Sequence, residues 1–261
     1  MGCESKKYAI REISELTGVK PVTLRAWQRR YSLIQPERTD KGHRLYTEAH
    51  LDIIKEIQGW LARGVAIGKV KDLLGNPDIA PNIDEPPQAL EHVEPILTAL
   101  AEIKAAKVDS LVSSAFKDYP LQQVEDLLIA PVMEALIRVK GSSRSVQKAL
   151  FQSVMLGRLS SIIESENKAA HKGHTLVVNL DMTGSVYAWL WCMKIAETGQ
   201  RVTMLDGVDD PAGLLDIGVN FSQLSLFSNR ALPEATKETI AQLKLNWENK
   251  LVCSPMIEHL M

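Results

Sequence analysis

The sequence predicts a multi-domain chain: a mainly α N-terminal module, an α-helical bundle, and then a small α/β doubly wound domain. Three observations predict it. Charge is divided unevenly: residues 1–76 carry 14 Lys and Arg against 9 Asp and Glu, a net of +5, whereas residues 77–261 carry 16 against 23, a net of −7. Residues 75–88, GNPDIAPNIDEPPQ, hold four prolines and no helical periodicity, which marks a stiff linker. From His174 onward, apolar spacing at three and four gives way to short apolar runs alternating with helical stretches.

Residues 8–76 read as one unit. Ile10, Ile13 and Leu16 line one face of a short helix, and Gly18 stops it, because glycine takes a left-handed terminal position at little cost. Pro21 opens a second helix, where its missing N–H is tolerated, and Leu24 and Trp27 give that helix a buried side. Two short helices joined by a tight turn make a helix-turn-helix. The exposed side of the second helix is expected to carry Lys20, Thr23, Arg25, Gln28, Arg29 and Arg30. Arg and Gln are the side chains that reach base edges and phosphates in a major groove. Residues 40–42 form a turn between two short polar strands, a wing that places Arg38, Lys41, His43 and Arg44 beside the helix. Thr47 caps a long helix over 48–63 with Ile53, Ile54, Ile57, Trp60 and Leu61 inward; Gly64 breaks it, and 70–74 form a last short helix.

The stretch Tyr8-Ala-Ile-Arg-Glu-Ile-Ser-Glu-Leu-Thr-Gly-Val resembles the opening of the MerR winged helix-turn-helix family. Thr23-Leu-Arg-Ala-Trp-Gln-Arg-Arg-Tyr31 resembles its recognition helix, and Pro36-Glu-Arg-Thr-Asp-Lys-Gly-His-Arg-Leu-Tyr46 its wing. The resemblance spans 8–74 and implies DNA contacts, mostly to phosphates, from Thr23, Arg25, Tyr31, Arg38, Arg44 and Tyr46. Lys20, Gln28, Arg29 and His43 are further candidates; Tyr31 and Tyr46 have the alternative of bracing the wing, and Trp27 reads as core.

After the linker, 77–88, residues 89–172 read as a helical bundle. Leu90, Val93, Ile96, Leu97, Leu100 and Ile103 recur at helical spacing. Pro120 opens a helix whose apolar face is Val124, Leu127, Leu128, Met133 and Leu136, and Pro131 is expected to kink it. Beyond Gly141-Ser142-Ser143, the residues Val146, Leu150, Val154, Leu159, Ile162 and Ile163 mark another long helix. In residues 173–261, strands over 175–180 and 201–205 flank a helix over 186–198, a β-α-β unit with a right-handed crossover. Strands over 223–227 and 250–253 with a helix over 234–247 complete a flavodoxin-like domain of about four strands.

The domain order and Trp27-Gln-Arg-Arg-Tyr31 resemble a branch of the family that joins the winged helix to a helical bundle and a cobalamin-binding domain; Ala115-Phe-Lys-Asp-Tyr-Pro-Leu-Gln-Gln-Val124 resembles the start of that bundle. In that branch a His in a D-x-H-x-x-G loop would supply the lower axial ligand. Here the loop is Asp181-Met-Thr-Gly-Ser-Val-Tyr187, with Gly184 at the His position and Tyr187 at the last Gly, and the bundle's Trp and Glu-His positions fall on Val139 and Ala149-Leu150. The domain is therefore read as degenerate, with no cofactor and no metal. Pro21-Val-Thr-Leu-Arg-Ala-Trp-Gln-Arg-Arg-Tyr31, Thr39-Asp-Lys-Gly-His-Arg-Leu45 and Lys69-Val-Lys-Asp-Leu-Leu74 are similar to the MerR-like regulators of curli and biofilm matrix genes.

Other chemistry is thin. Three scattered cysteines, Cys3, Cys192 and Cys253, argue against a disulfide framework or a clustered metal site. His171 and His174 lack a third ligand nearby and read as exposed polar residues. Asp181 and Thr183 lie at the carboxyl end of a strand, where doubly wound sheets bind ligands; they are a candidate effector loop, with a plain loop as the alternative. No nucleotide-binding or nucleophile-elbow motif is present, so an enzyme is not expected. No run of about 18 apolar residues and no signal sequence are present, so no membrane partner is expected. The expected molecule is a cytoplasmic, nucleoid-associated homodimer that binds double-stranded promoter DNA, engages RNA polymerase and activates promoters with overlong spacers by distorting them. Its C-terminal domain would take a signalling protein or a small-molecule effector. The rivals are a ligand-gated repressor of the cobalamin or light-sensing type, and a signalling adaptor.

Overall fold

The computed structural model describes residues 6–75, 88–217 and 220–261. The expected linker, 77–88, lies outside the described residues except for Gln88. Contacts divide the chain into two compact units, Met1–Lys148 and Ala149–Met261. Division by contact differs from division by sequence: the winged helix shares a unit with the first part of the bundle, and the boundary falls inside a helix.

The first unit begins with β1 (Lys7–Ala9), α1 (Ile10–Thr17) and α2 (Pro21–Tyr31). Gly18 is left-handed at φ 69° and donates its N–H to Ser14, closing α1. Ile13, Leu24 and Trp27 are fully buried. Leu16, expected inward, is 55% exposed, because at about 100° per residue it stands roughly 120° round the helix from Ile10. Then come β2 (Glu37–Arg38), β3 (Arg44–Thr47), α3 (Glu48–Ala62) and α4 (Ile67–Val70), the last three residues earlier than expected. The wing strands pair antiparallel, Arg38 opposite Arg44. Unmarked by any alternation in the sequence, β1 pairs with β3 and sets Tyr8 opposite Tyr46. At the start of α3, His50 Nδ1 accepts the Thr47 N–H at 3.0 Å.

Four helical segments follow: α5 (Val93–Ala101), α6 (Ala105–Asp118), α7 (Leu121–Val124) and α8 (Ala130–Arg138), the last two joined by a π-helical turn over Glu125–Ile129. Pro131 explains that turn. It has no N–H to offer the Leu127 carbonyl, so the helix widens, and Leu127 accepts the Leu90 N–H at 2.8 Å instead. Ile103 and Val146, expected in apolar faces, are each 52% exposed. Ile103 follows the end of α5 at φ 54°, and Val146 lies in the first turns of α9 (Ser143–Ala169), which crosses the unit boundary.

The second unit holds β4 (His174–Asn179), α10 (Val186–Glu197), β5 (Arg201–Asp206), a 3₁₀ segment (Pro211–Asp216), β6 (Gln223–Phe227), α11 (Glu234–Trp247), β7 (Leu251–Cys253) and α12 (Pro255–Leu260). All four strands are parallel, in the order β5-β4-β6-β7. Alternation along the strands sends Leu224 and Leu226 to one face, packed with Ile240, Leu243 and Trp247 of α11. On the other face Ser225 accepts the Trp191 indole of α10 at 2.8 Å. Asn167 of α9 covers the open edge of β5, exchanging two hydrogen bonds with the backbone of Val202. Among the described residues no helix is long and apolar enough to cross a membrane.

Candidate nucleic-acid interface

The α2 helix has two working faces. At about 100° per residue, Arg25, Gln28 and Arg29 fall on one side, and Trp27, Arg30 and Tyr31 fall roughly 120° to 160° away from Arg25. The first side is open: Arg25 and Arg29 are exposed and Gln28 is half-buried. Lys20 stands half-buried at the N-cap.

The wing meets this side directly. Arg44 Nε donates to Gln28 Oε1 at 2.6 Å. The turn is tightened by Thr39, whose N–H donates to the His43 carbonyl at 2.9 Å and whose hydroxyl accepts the His43 N–H at 3.1 Å. Arg38, Lys41 and His43 are exposed along it, and Arg38 Nη1 reaches the Gly42 carbonyl at 3.4 Å. At the base of the wing Lys7 pairs with Glu37 at 2.7 Å, and that partner holds the Glu37 carboxyl below its usual range. A recognition helix flanked by a cationic hairpin suits a duplex: the helix enters a groove while the wing follows phosphates.

Three expected contacts are placed differently. Thr23, read as exposed, is 2% exposed, on the side of α2 that packs inward with Leu24 and Trp27. Tyr46 is fully buried, and its hydroxyl has no hydrogen-bond partner among the described residues. Burial raises its phenol, while Arg44 and Arg25 beside it pull the other way. Tyr31 lies on the far face of α2, and its hydroxyl donates to Asp118 Oδ2 at 3.0 Å. Burial first, then Asp118, push its phenol well above the ordinary value.

That far face is a second site, which local sequence pattern does not announce. Asp118 ends α6 and is 2% exposed. Its carboxylate accepts from Arg30 Nη1 at 2.8 and 2.9 Å, from Tyr31 and from Ser114 at 3.2 Å, and its carbonyl accepts the Trp27 indole at 2.7 Å. The next residue, Tyr119, accepts the Ile67 N–H through its hydroxyl at 3.1 Å. Burial pushes that phenol up to about 12. One sequence signal existed: an acidic residue in the last turn of a helix, the end whose dipole disfavours it.

In the second unit, Asp181 is already occupied. Its Oδ1 accepts from the Ser228 hydroxyl at 2.8 Å and its Oδ2 from the Asn229 N–H at 3.0 Å, while Arg230 lies 3.6 Å away and also donates to the Leu180 carbonyl at 2.9 Å. These bonds cross the crevice between the carboxyl ends of β4 and β6, the switch point of the sheet. Thr183 is exposed in the same loop. Beside it Asp206 collects the Asn179 amide, the Gly184 N–H and the Trp189 indole at 2.7 to 3.0 Å. The residues do not fit a cobalamin held by an axial imidazole: the position expected to carry it is Gly184, at φ 79°, a backbone conformation that a side-chain-bearing residue rarely adopts. His174 sits at the opposite end of β4, where Nε2 bonds the Thr203 hydroxyl at 2.8 Å. Among the described residues no group of three or more His, Cys, Asp or Glu is placed to hold a metal ion.

Residues 8–76 match the family model described as MerR HTH family regulatory protein. Over 198 residues the chain is 32% identical to the HTH-type transcriptional regulator MlrA of Escherichia coli (strain K12), a span covering 76% of this chain and 79% of that one. It is 24% identical over 257 residues to the HTH-type transcriptional repressor CarH of Myxococcus xanthus, covering 92% and 85%. It is also 25% identical over 134 residues to the mercuric resistance operon regulatory protein of Bacillus cereus, covering 51% and 98%.

Proposed function

Because the chain belongs to the MerR family of helix-turn-helix transcription regulators, we propose that it is a sequence-specific activator that binds promoter DNA as a homodimer. The observation that carries this reading is the Arg44–Gln28 bond, which joins wing and recognition helix into one surface edged by Arg25, Arg29, Arg38, Lys41 and His43. A dimer lets two such surfaces read two half-sites. The activator binds between promoter elements set too far apart and distorts the duplex so that RNA polymerase engages both, which makes sequence-dependent deformability part of its specificity. Resemblance to curli and biofilm regulators points to matrix genes as targets. The relatives are regulators rather than enzymes, and the role is regulatory throughout.

Genome-wide footprinting of the tagged chain tests this. Peaks at promoters, each with an inverted repeat inside an overlong spacer, are expected. Absence of enriched sites overturns the reading. A second reading, repression, is favoured by likeness to proteins named as repressors; transcript levels at the footprinted promoters, with the chain present and deleted, decide between them.

A further inference from the structure

We propose that Asp118 is a positioning residue for DNA reading: it fixes the winged helix on the bundle, so that the two heads of a dimer meet DNA at one set spacing. The proposal rests on the DNA-binding reading above. Two consecutive residues at the end of α6 grip the head at two separate places. Asp118 holds Trp27, Arg30 and Tyr31 on α2, and Tyr119 holds the Ile67 N–H on α4. Gln88, the last residue of the linker, has its backbone close against Gly64, at the turn between α3 and α4. The head is therefore held on three sides.

The chemistry of Asp118 points to docking and not to helix stability. A carboxylate in the last turn faces the negative end of the helix dipole, and burial adds a desolvation cost. Apart from Ser114 in its own helix, the side-chain donors that balance it come from α2. They also leave the reading face free, because Arg30 and Tyr31 point away from Arg25. In this proposal the two chains pair through their bundles; rotation there then reaches the recognition helix through this contact, and the heads cannot turn independently to suit half-sites at other distances. One base pair of extra spacing rotates a half-site by about 34°, which a fixed head cannot follow.

The test is selection from a pool of random duplexes by the full-length chain. The wild type is expected to enrich an inverted repeat with one dominant centre-to-centre distance. Asp118→Ala is expected to enrich the same half-site over a spread of distances, with preference over spacings one base pair longer or shorter falling from about tenfold to within about threefold. Affinity for a duplex carrying a single half-site should stay within about twofold, since the reading face is untouched. Asp118→Asn, which keeps an acceptor for Tyr31 but loses the ion pair, should fall between, and it serves where Asp118→Ala does not fold. Equal sharpness in both variants and the wild type overturns the proposal. Loss of single-site affinity also overturns it, because Asp118 would then support only the head's own fold. A wild type that enriches no duplex overturns the DNA-binding reading itself.

Discussion

Arg44 and Gln28 are joined side chain to side chain, Arg44 Nε donating to Gln28 Oε1 at 2.6 Å across 16 residues of chain. The bond keeps the wing from swinging away from α2 and uses only the Nε of the guanidinium. Arg44→Ala removes both the brace and a cation aimed at phosphate, whereas Arg25→Ala removes a cation alone. Each substitution should weaken binding to cognate and random duplexes alike and lower the magnitude of the salt slope by about 1. Titrations across a salt series check this, and unchanged binding in both variants would remove the clamp.

Tyr31 separates the two faces of α2. Resemblance assigned it to DNA, but its hydroxyl is spent on Asp118. Tyr31→Phe should therefore leave affinity for a single half-site within about twofold while costing about 1.5–3 kcal/mol of stability, the usual size of a hydrogen bond to a charged group. Paired binding and urea-unfolding measurements check it. Weakened single-site binding at unchanged stability would return Tyr31 to the DNA.

Gly64 and Gly18 offer a matched comparison. Both are left-handed, at φ 80° and 69°, but a side chain at 18 meets open space and one at 64 meets the backbone of Gln88. Gly18→Ala should cost about 1 kcal/mol, from backbone conformation alone. Gly64→Ala adds a clash with main chain, so its cost should exceed 2 kcal/mol. Thermal unfolding of the two variants checks the order; equal losses would mean that Gln88 yields freely.

Where local pattern carries the information, the sequence was legible. The three-four spacing of Leu24 and Trp27 marks the buried side of α2, and the apolar runs of β4 and β6 mark a sheet buried on both faces. What was not legible depended on partners distant in the chain. Neither polar flank of α2 announces that Arg30 faces a carboxylate 88 residues away. Tyr46 is buried because β1, three residues long and too short to show alternation, pairs alongside it. Asp181 could be placed at a strand end, but the bonds that occupy it come from beyond β6.

His92 should make the first unit sensitive to mild acid. It precedes α5, its Nδ1 is buried without a hydrogen-bond partner among the described residues, and its ring stands edge-on to Tyr119 with centroids 6.0 Å apart. Burial pushes its imidazole below the ordinary value, outweighing the opposite pull of Glu91 and Asp118. The folded state therefore refuses a proton that the unfolded chain accepts. Stability is complete above the ordinary imidazole pKa of about 6.5 and falls as pH drops from there toward the lowered folded value. The slope contributed by one such group is at most about 1.4 kcal/mol per pH unit. Urea unfolding of the full chain between about pH 7 and pH 5.5, a window above most carboxylate titration, should show a falling midpoint. His174 is shifted down as well, by burial and Arg201, but it belongs to the second unit. His92→Asn keeps a residue suited to a helix N-terminus and removes the titration. The loss read as amide-exchange protection in the first unit should flatten in that variant. If protection in the first unit keeps its full pH dependence, the sensitivity lies elsewhere and His92 is only a packing residue.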